Sequence, residues 1–518
     1  TGSVKGSDAY VGGLVGYSSD SSTITNSYWN TDTSGQASAM GYGSDDGTTG
    51  LTTAQMFDAA NFSGFDFAGT WANADNQTTP YLRDLAGNRV FNKNDLPTGT
   101  IDATNRPALY TVIQNVEQLQ AMRDNLAANY LLGNHIDASA TASWNGGAGF
   151  VPVGDGSNHY TGDFDGLSYS INGLTINRPS TSYVGLFGLI FGGQISNVGL
   201  TNAAITGRNW VGGLVGNLLK GNISQSFATG RVSGRKFVGG LVGEATIGSI
   251  KQSFATADVS GSDSFIGGLV GYVNDSARIE ESYATGPVSG TTVSAGGLIG
   301  QLHGYIVNTY WNTETSGQTS AVGFSSVGSG GITGLTTAQM MQADSFTGWD
   351  IDAQGGTGTV WRIYEGYTAP LLRHFLTALE VTGDTTTTTY NGTEQTGGWS
   401  TTGEYDADRI FGQASGGGRN AGTYNIDMSG LYSDQQGYDL ITTNGTLTIN
   451  KAQATVTANS GTTTYNGAEQ SVDGFTVDGL VNGENASVLT GVTTSGGKGT
   501  NAGSYALTAS GSDGNYEL

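Results

Sequence analysis

The stretch Trp210-Val-Gly-Gly-Leu-Val-Gly216 returns as Phe237-Val-Gly-Gly-Leu-Val-Gly243 and Phe265-Ile-Gly-Gly-Leu-Val-Gly271. It is flanked by Tyr183-Val-Gly-Leu-Phe-Gly188 and Ala295-Gly-Gly-Leu-Ile-Gly300. The leucines Leu186, Leu214, Leu241, Leu269 and Leu298 lie 28, 27, 28 and 29 residues apart. Repetition at this period is the mark of a solenoid or array. Working outward, Ile223, Ile250, Ile279 and Ile306 keep the same register. So do Phe227, Phe254, Tyr283 and Tyr310, each after Ser or Thr, and Val232, Val259 and Val288 before Ser-Gly. Each unit holds three short apolar runs rich in β-branched and aromatic residues, too short for helices, which favours strands. A single unit cannot bury its apolar face alone, whereas stacked coils place like residues above like, about 4.8 Å apart. The expected fold is all-β: parallel β-helix (β-solenoid) modules followed by two small β-sandwich-like domains.

The repeat resembles the GLUG motif of large bacterial surface adhesins and of some IgA-cleaving proteases. The likeness rests on the five consecutive units above and on Gly12-Gly13-Leu14-Val15-Gly16. It implies an extracellular or bacterial outer-surface location and an adhesive or filamentous role. Its implied partners are a glycan or protein on a host or neighbouring cell, or other copies of the chain.

A second, longer period marks whole modules. Asn26-Ser-Tyr-Trp-Asn-Thr31, Gly50-Leu-Thr-Thr-Ala-Gln-Met56 and Pro80-Tyr-Leu-Arg83 recur as Asn308-Thr-Tyr-Trp-Asn-Thr313, Gly334-Leu-Thr-Thr-Ala-Gln-Met340 and Pro370-Leu-Leu-Arg373. Residues 1–90 therefore read as the end of one module, 91–106 as a linker and 107–376 as a complete module. Thr52 with Gln55, and Thr336 with Gln339, have capping-box spacing. A short helix is expected there, plugging the open end of each solenoid. Val116, Leu119, Met122 and Leu126 share one helical face behind Asn115 as a cap, an expected N-terminal lid.

From residue 377 the composition shifts to Thr-rich alternation. Tyr390-Asn-Gly392 matches Tyr465-Asn-Gly467, and Asn420-Ala-Gly-Thr-Tyr424 matches Asn501-Ala-Gly-Ser-Tyr505. These copies, 377–451 and 452–518, resemble the MBG/YDG-type β domains found in tandem in bacterial adhesins. The first closes with Asn444-Gly-Thr-Leu-Thr-Ile-Asn450, for which the second has no counterpart before Leu518. The expectation is a segment of a longer chain whose last domain keeps an unpaired edge.

The chain carries 43 acidic and 20 basic residues, a net charge of −23, with 85 Gly and no Cys. That balance argues against nucleic acid, which needs a basic footprint, and against anionic lipid. Without Cys, disulfides and thiolate metal sites are excluded. No apolar run approaches the roughly 20 residues of a membrane helix. No His-Glu-x-x-His and no Gly-x-Ser-x-Gly elbow is present, and the four histidines lie far apart. No catalytic residue is assigned, and the chain is read as non-enzymatic. Glycan-active β-helix enzymes set carboxylates on neighbouring coils, but the stacking positions here hold Gly, Ser and Thr. Asp155, Asp163 and Asp165 read as turn residues, with calcium ligation as the alternative.

The candidate ligand-binding residues are Tyr183, Trp210, Phe237 and Phe265, which precede the glycine motif at steps of 27, 27 and 28. Arg208 and Arg235 accompany them, 27 apart, in the one basic cluster of an acidic chain. An aromatic ladder beside guanidinium groups suits a sugar chain or an anionic glycan. The other reading packs the aromatics inward. Strand alternation groups Trp210 with Leu214 and Val211 with Val215 and leaves the inward set open.

Overall fold

The computed structural model describes residues 2–6, 10–19, 22–98, 101, 105–274, 276–290 and 294–518. The chain divides into two units, Thr1–Trp349 and Asp350–Leu518.

The repeat motif makes the tightest corner of the first unit. Strand Asn209–Gly212 runs into strand Val215–Leu219 through Gly213-Leu214, and the next coils repeat this at Lys236–Gly239 and Val242–Ala245. A Cβ at Gly212, Gly239, Gly267 or Gly296 would lie 2.2, 2.0, 2.1 or 2.2 Å from the carbonyl three residues on. It would also approach the last motif glycine of the following coil, as Gly239 approaches the Gly271 nitrogen at 2.7 Å. Only glycine leaves room for two backbones this close. The middle glycine faces the core: a Cβ at Gly213, Gly240 or Gly268 would sit 2.8, 2.9 or 3.1 Å from the methyls of Ala228, Ala255 and Ala284.

Between corners the coils pair in register into long sheets. One runs through Leu109–Ile113, Asn129–Leu132, Phe164–Asp165, Gln194–Ser196, Gly221–Ser224, Gly248–Lys251, Ala277–Glu280 and Tyr305–Val307, all parallel. Ile195, Ile223, Ile250, Ile279 and Ile306 are partners along it and are buried in one core. This is the parallel β-helix expected from the repeat, with the isoleucine ladder inside. Phe227, Phe254, Tyr283 and Tyr310 form a second ladder. The first three rings stack at 4.9 Å, within 2° and 6° of parallel.

Serine before each of the first three aromatics serves the backbone. The amide of Ser226 donates to Ser253 Oγ at 3.2 Å, and that of Ser253 donates to Ser282 Oγ at 3.1 Å. Each buried turn amide thus finds its acceptor one coil away.

Both modules end alike. Trp311 occupies the register position of Ala284 on the preceding coil. Its ring fits because Gly297 carries no Cβ, which would lie 2.1 Å away. Trp29 and Gly13 repeat the arrangement, with 2.2 Å between them. The capping boxes form: Gln55 N donates to Thr52 Oγ1 and Gln339 N to Thr336 Oγ1. They open only a 3₁₀ turn, Gln55–Phe57, and a four-residue helix, Thr337–Met340. Neither plugs an open end. After the second, Phe346 and Trp349 pack on Tyr310, whose neighbour Trp311 faces the core. Strand Ile332–Leu335 stacks beyond the coil that carries Trp311, and the indole itself joins the core. At the other end helix Val116–Ala121, capped by Asn115, buries Val116 and Leu119 in the core, with Met122 following.

Strand Arg89–Phe91 pairs antiparallel with Leu109–Ile113, so the stretch read as a linker begins inside the sheet. A short hairpin precedes it, Trp71–Ala72 with Tyr81–Leu82. The second copy, Trp361–Arg362 with Leu371–Leu372, lies in the second unit. The sequence reading ends the module at 376, while the first compact unit ends at Trp349. A buried ion network ties this hairpin to the rest of the second unit. Arg362 Nε and Arg373 Nη1 donate to the two Asp439 carboxylate oxygens at 3.0 and 2.6 Å.

Further along the second unit, Thr377–Gly383 lies between Trp399–Thr401 and Tyr438–Thr443. Gly445–Asn450 lies between Thr385–Thr389 and Gly422–Ile426. In the C-terminal stretch Ala452–Gln453 pairs with Tyr516–Glu517, Thr455–Ala458 with Phe475–Asp478, and Val492–Gly496 with Leu507–Gly511, and Leu489 and Tyr516 share a core with Leu447 and Ile449.

Three variants followed by thermal unfolding test this account. Gly239→Ala is expected to cost at least about 3 kcal/mol, because the clash is with backbone. Gly330→Ala, with open space around it, is expected to be near neutral. Ile250→Ala is expected to cost about 2–5 kcal/mol. Equal melting temperatures for the two alanine variants at glycine positions would refute the close-packed corner.

Candidate cationic and aromatic strip on the solenoid

The residue entering each glycine corner bends the chain into the left-handed region. Tyr183, Trp210, Phe237 and Phe265 have φ of 62°, 55°, 58° and 69°. For L-residues this conformation costs about 1–2 kcal/mol. Val211, Val238 and Ile266, next along, are fully buried in the core. The aromatics therefore point out of the coil, and all four are half-buried. Their rings stack in sequence: 4.6 Å and 3° between Tyr183 and Trp210, 5.3 Å and 11° between Trp210 and Phe237, 5.2 Å and 32° between Phe237 and Phe265. The stack covers most ring faces and leaves edges toward solvent. The free side of Tyr183 meets Gly156, where a Cβ would be 2.7 Å from the ring.

Beside the stack runs a second row in register, Asn217, Glu244, Tyr272 and Gln301. Trp210 Nε1 donates to Glu244, which also accepts from Thr246 Oγ1 at 3.0 Å and Asn217 Nδ2 at 3.3 Å. Tyr272 lies edge-on to Phe237, at 5.7 Å. Lys236 Nζ sits 4.5 and 4.9 Å from the ring centres of Phe237 and Phe265, a cation–π pair on the strip.

Arg208 and Arg235 are exposed and line a shallow cavity of about 570 Å³ with Ser180, Ser233 and Ser262. Arg235 pairs with Asp263 at 3.0 Å. A second cavity of about 570 Å³ abuts the Tyr183 end and contains Arg123, Arg178, Asp155 and His159. Arg178 Nε donates to the Phe150 carbonyl at 3.0 Å. Burial, then the charge of Arg123, pushes the Arg178 guanidinium below its usual value. Sequence reading missed Arg123 and Arg178, which sit outside the repeat and carry no periodic signal. It also missed Glu244, although the 27- to 29-residue spacing of its row marks that position.

The three aspartates are not brought together. Asp155 belongs to the Tyr183 cavity, where its carboxylate accepts from the Ser157 and Asn158 amides at 2.8 Å. Asp165 is buried and accepts from Asn92 and Asn94 side-chain amides, Asn197 Nδ2 and the Leu167 amide. Four donors leave it no site for a cation. Asp163 lies beside Asp165 in a different cavity. Among the described residues no group of three or more His, Asp or Glu is placed to hold a metal ion.

Burial raises the Glu244 carboxyl above its ordinary value, against its hydrogen bonds from Trp210 and Thr246 and the charge of Lys236. The folded chain thus keeps this proton where the unfolded chain has lost it. Stability falls as pH rises from the ordinary glutamate range through the raised value. Glu244→Gln is expected to flatten that decline and to match or exceed the parent melting temperature at pH 7. A variant less stable than the parent by the same amount at pH 4 and pH 7 would contradict this.

Comparison with known proteins covers parts of the chain. Residues 454–518 match the MBG domain (YGX type) family. The chain is 38% identical over 135 residues to halomucin of Haloquadratum walsbyi, a stretch that is 26% of this chain and 1% of that protein. It is 36% identical over 111 residues to a putative Gly-rich membrane protein of Evansella cellulosilytica, 20% of this chain and 13% of that protein. The chain thus spans a small fraction of the length of these relatives. Among the described residues no helix is long and apolar enough to cross a membrane. The molecule is a repetitive, β-rich protein whose residues 454–518 are similar to the MBG domain (YGX type) family.

Proposed function

We propose that this chain is part of an extracellular, surface-displayed adhesive protein of the GLUG-repeat kind, and that its solenoid binds an acidic glycan along the strip at the glycine corner. The observation that carries the reading is a concentration of charge. Arg123, Arg178, Arg208, Arg235 and Lys236 follow one corner of a chain whose net charge is −23. At physiological salt the Debye length is about 8 Å, so an extended ligand on the strip senses the charges of the strip itself, where Asp263 is paired with Arg235 and Glu244 is engaged by Trp210 while Arg208 and Lys236 face it directly. Aromatic edges and serine hydroxyls between the cations suit hydroxyl and C–H groups of sugars. The proposed role is binding, not catalysis. The match of residues 454–518 to the MBG domain family supports the surface assignment.

A second reading is a structural spacer or filament subunit without its own ligand. Face-to-face stacking of the four aromatics favours it, because sugar rings prefer open aromatic faces and these are covered. Binding of carboxylated and sulfated polysaccharides to the full chain separates the two. Arg123→Ala with Arg208→Ala is expected to weaken binding at least tenfold, with the melting temperature little changed and the parent affinity falling with salt. Trp210→Ala with Arg235→Ala tests the ladder itself. No measurable binding by the parent would favour the spacer, and equal binding of neutral and acidic polymers would remove the acidic-glycan reading.

A further inference from the structure

The two small domains meet through a defined set of contacts. Tyr390 of the first is 4% exposed, and its hydroxyl donates to Glu484 Oε1 at 2.7 Å. Tyr516 donates to Glu484 Oε2 at 2.6 Å, and its ring meets Tyr390 edge-on at 5.4 Å. Asn482 Nδ2 donates to the Gly392 carbonyl at 3.1 Å. Asn515 accepts from the Ala421 amide at 2.8 Å and donates to Asn420 at 3.1 Å. The first domain thus offers Tyr390, Gly392, Asn420 and Ala421, and the second supplies Asn482, Glu484, Asn515 and Tyr516.

The offering side is present again on the second domain. By the sequence repeat, Tyr390, Gly392, Asn420 and Ala421 correspond to Tyr465, Gly467, Asn501 and Ala502. All four are exposed, Tyr465 at 64%. The same face has a strand-shaped gap. In the first domain Gly445–Asn450 pairs with Thr385–Thr389 on one side and Gly422–Ile426 on the other, burying Leu447 and Ile449. The counterparts of its neighbours are 460–464 and 503–507. Residues 460–464 and 503–506 form no strand and are exposed. A cavity of about 560 Å³ lies between them, lined by Ser460, Thr462, Gly503 and Tyr505 among others.

We infer that this face of the last domain is a docking site for a further β domain of the same class, which enters with an alternating strand of the Gly-Thr-Leu-Thr-Ile-Asn type. In the first domain that strand leads directly, through Lys451, into the next domain, so filling the gap and docking the domain are one event. The strand supplies ladder hydrogen bonds to both exposed edges, and its Leu and Ile complete the core. The incoming domain supplies a carboxylate and a tyrosine to Tyr465, as Glu484 and Tyr516 do to Tyr390. A second copy of this chain does not fit the role. Its Glu484 and Tyr516 already hold Tyr390. In its first domain Tyr438, the counterpart of Tyr516, accepts at its carbonyl from Tyr364, beside Asp439 held by Arg362 and Arg373.

The test appends a copy of residues 441–518 after Leu518 of the full chain and follows amide hydrogen exchange and tyrosine nitration. Expected are at least tenfold slower exchange at 460–464 and 503–507 and loss of Tyr465 nitration. Changing the appended counterpart of Glu484 to Gln should restore part of that nitration. Unaltered exchange, or Tyr465 as reactive as in the parent, overturns the inference. Should the appended copy itself fail to fold, a synthetic peptide of sequence Asn-Gly-Thr-Leu-Thr-Ile-Asn is added to the unmodified chain. Protection at 460–464 and 503–507 then supports the strand site, and its absence overturns it. Protection of the unmodified chain that rises with its own concentration would assign the face to self-association and overturn the inference as well.

Discussion

Two backbones held nearly in contact at the Gly-Gly-Leu-Val-Gly corner set the terms for the rest of the solenoid. The first and last glycines of the motif touch across coils, so neither accepts a side chain. That contact turns the chain sharply enough for the residue before it to enter the left-handed region. It also brings the middle glycine against an alanine or, at the end of a module, a tryptophan. The isoleucine ladder supplies much of the buried apolar surface, but the glycines decide where each isoleucine stands. A core residue of this fold is thus specified by backbone closeness several positions away as much as by its own hydrophobicity.

This explains what was legible in the sequence. The spacing of Leu214, Leu241 and Leu269, and of Ile223, Ile250 and Ile279, fixes the coil register directly, because a parallel stack puts equivalent positions above one another. The direction of Trp210 and Phe237 was not legible. Period-2 alternation presumes extended backbone, and a residue with positive φ at a corner breaks that rule. The short terminal helices were read from a capping box that does form, yet the box says nothing about helix length or about which surface the turn meets. Arg123 and Arg178 reach the Tyr183 end only through the fold, since no repeat links them to it. Arg362 and Arg373 look like surface charges in the sequence, and only the fold places Asp439 between them.

The outer aromatic stack illustrates how one feature serves packing and surface together. Each ring holds an unfavourable backbone conformation, and contact with the rings above and below offsets that cost. The stack can only exist as a series, so its members support one another along the solenoid axis. Cations gather beside it because Lys236 gains from the ring quadrupoles while the nearby carboxylates, Glu244 and Asp263, are engaged by Trp210 and Arg235. The strip is therefore rigid in a way that isolated surface side chains are not.

The serine that follows each corner has a consequence for how such chains change length over evolution. Because Ser226 is completed by Ser253, and Ser253 by Ser282, a coil is whole only when another complete coil lies against it. Gain or loss of one entire repeat leaves every amide with a hydroxyl and every ring with a ring. Gain or loss of a fraction of a repeat strands both. A whole coil is therefore the smallest length by which this solenoid can grow or shrink without stranding either contact.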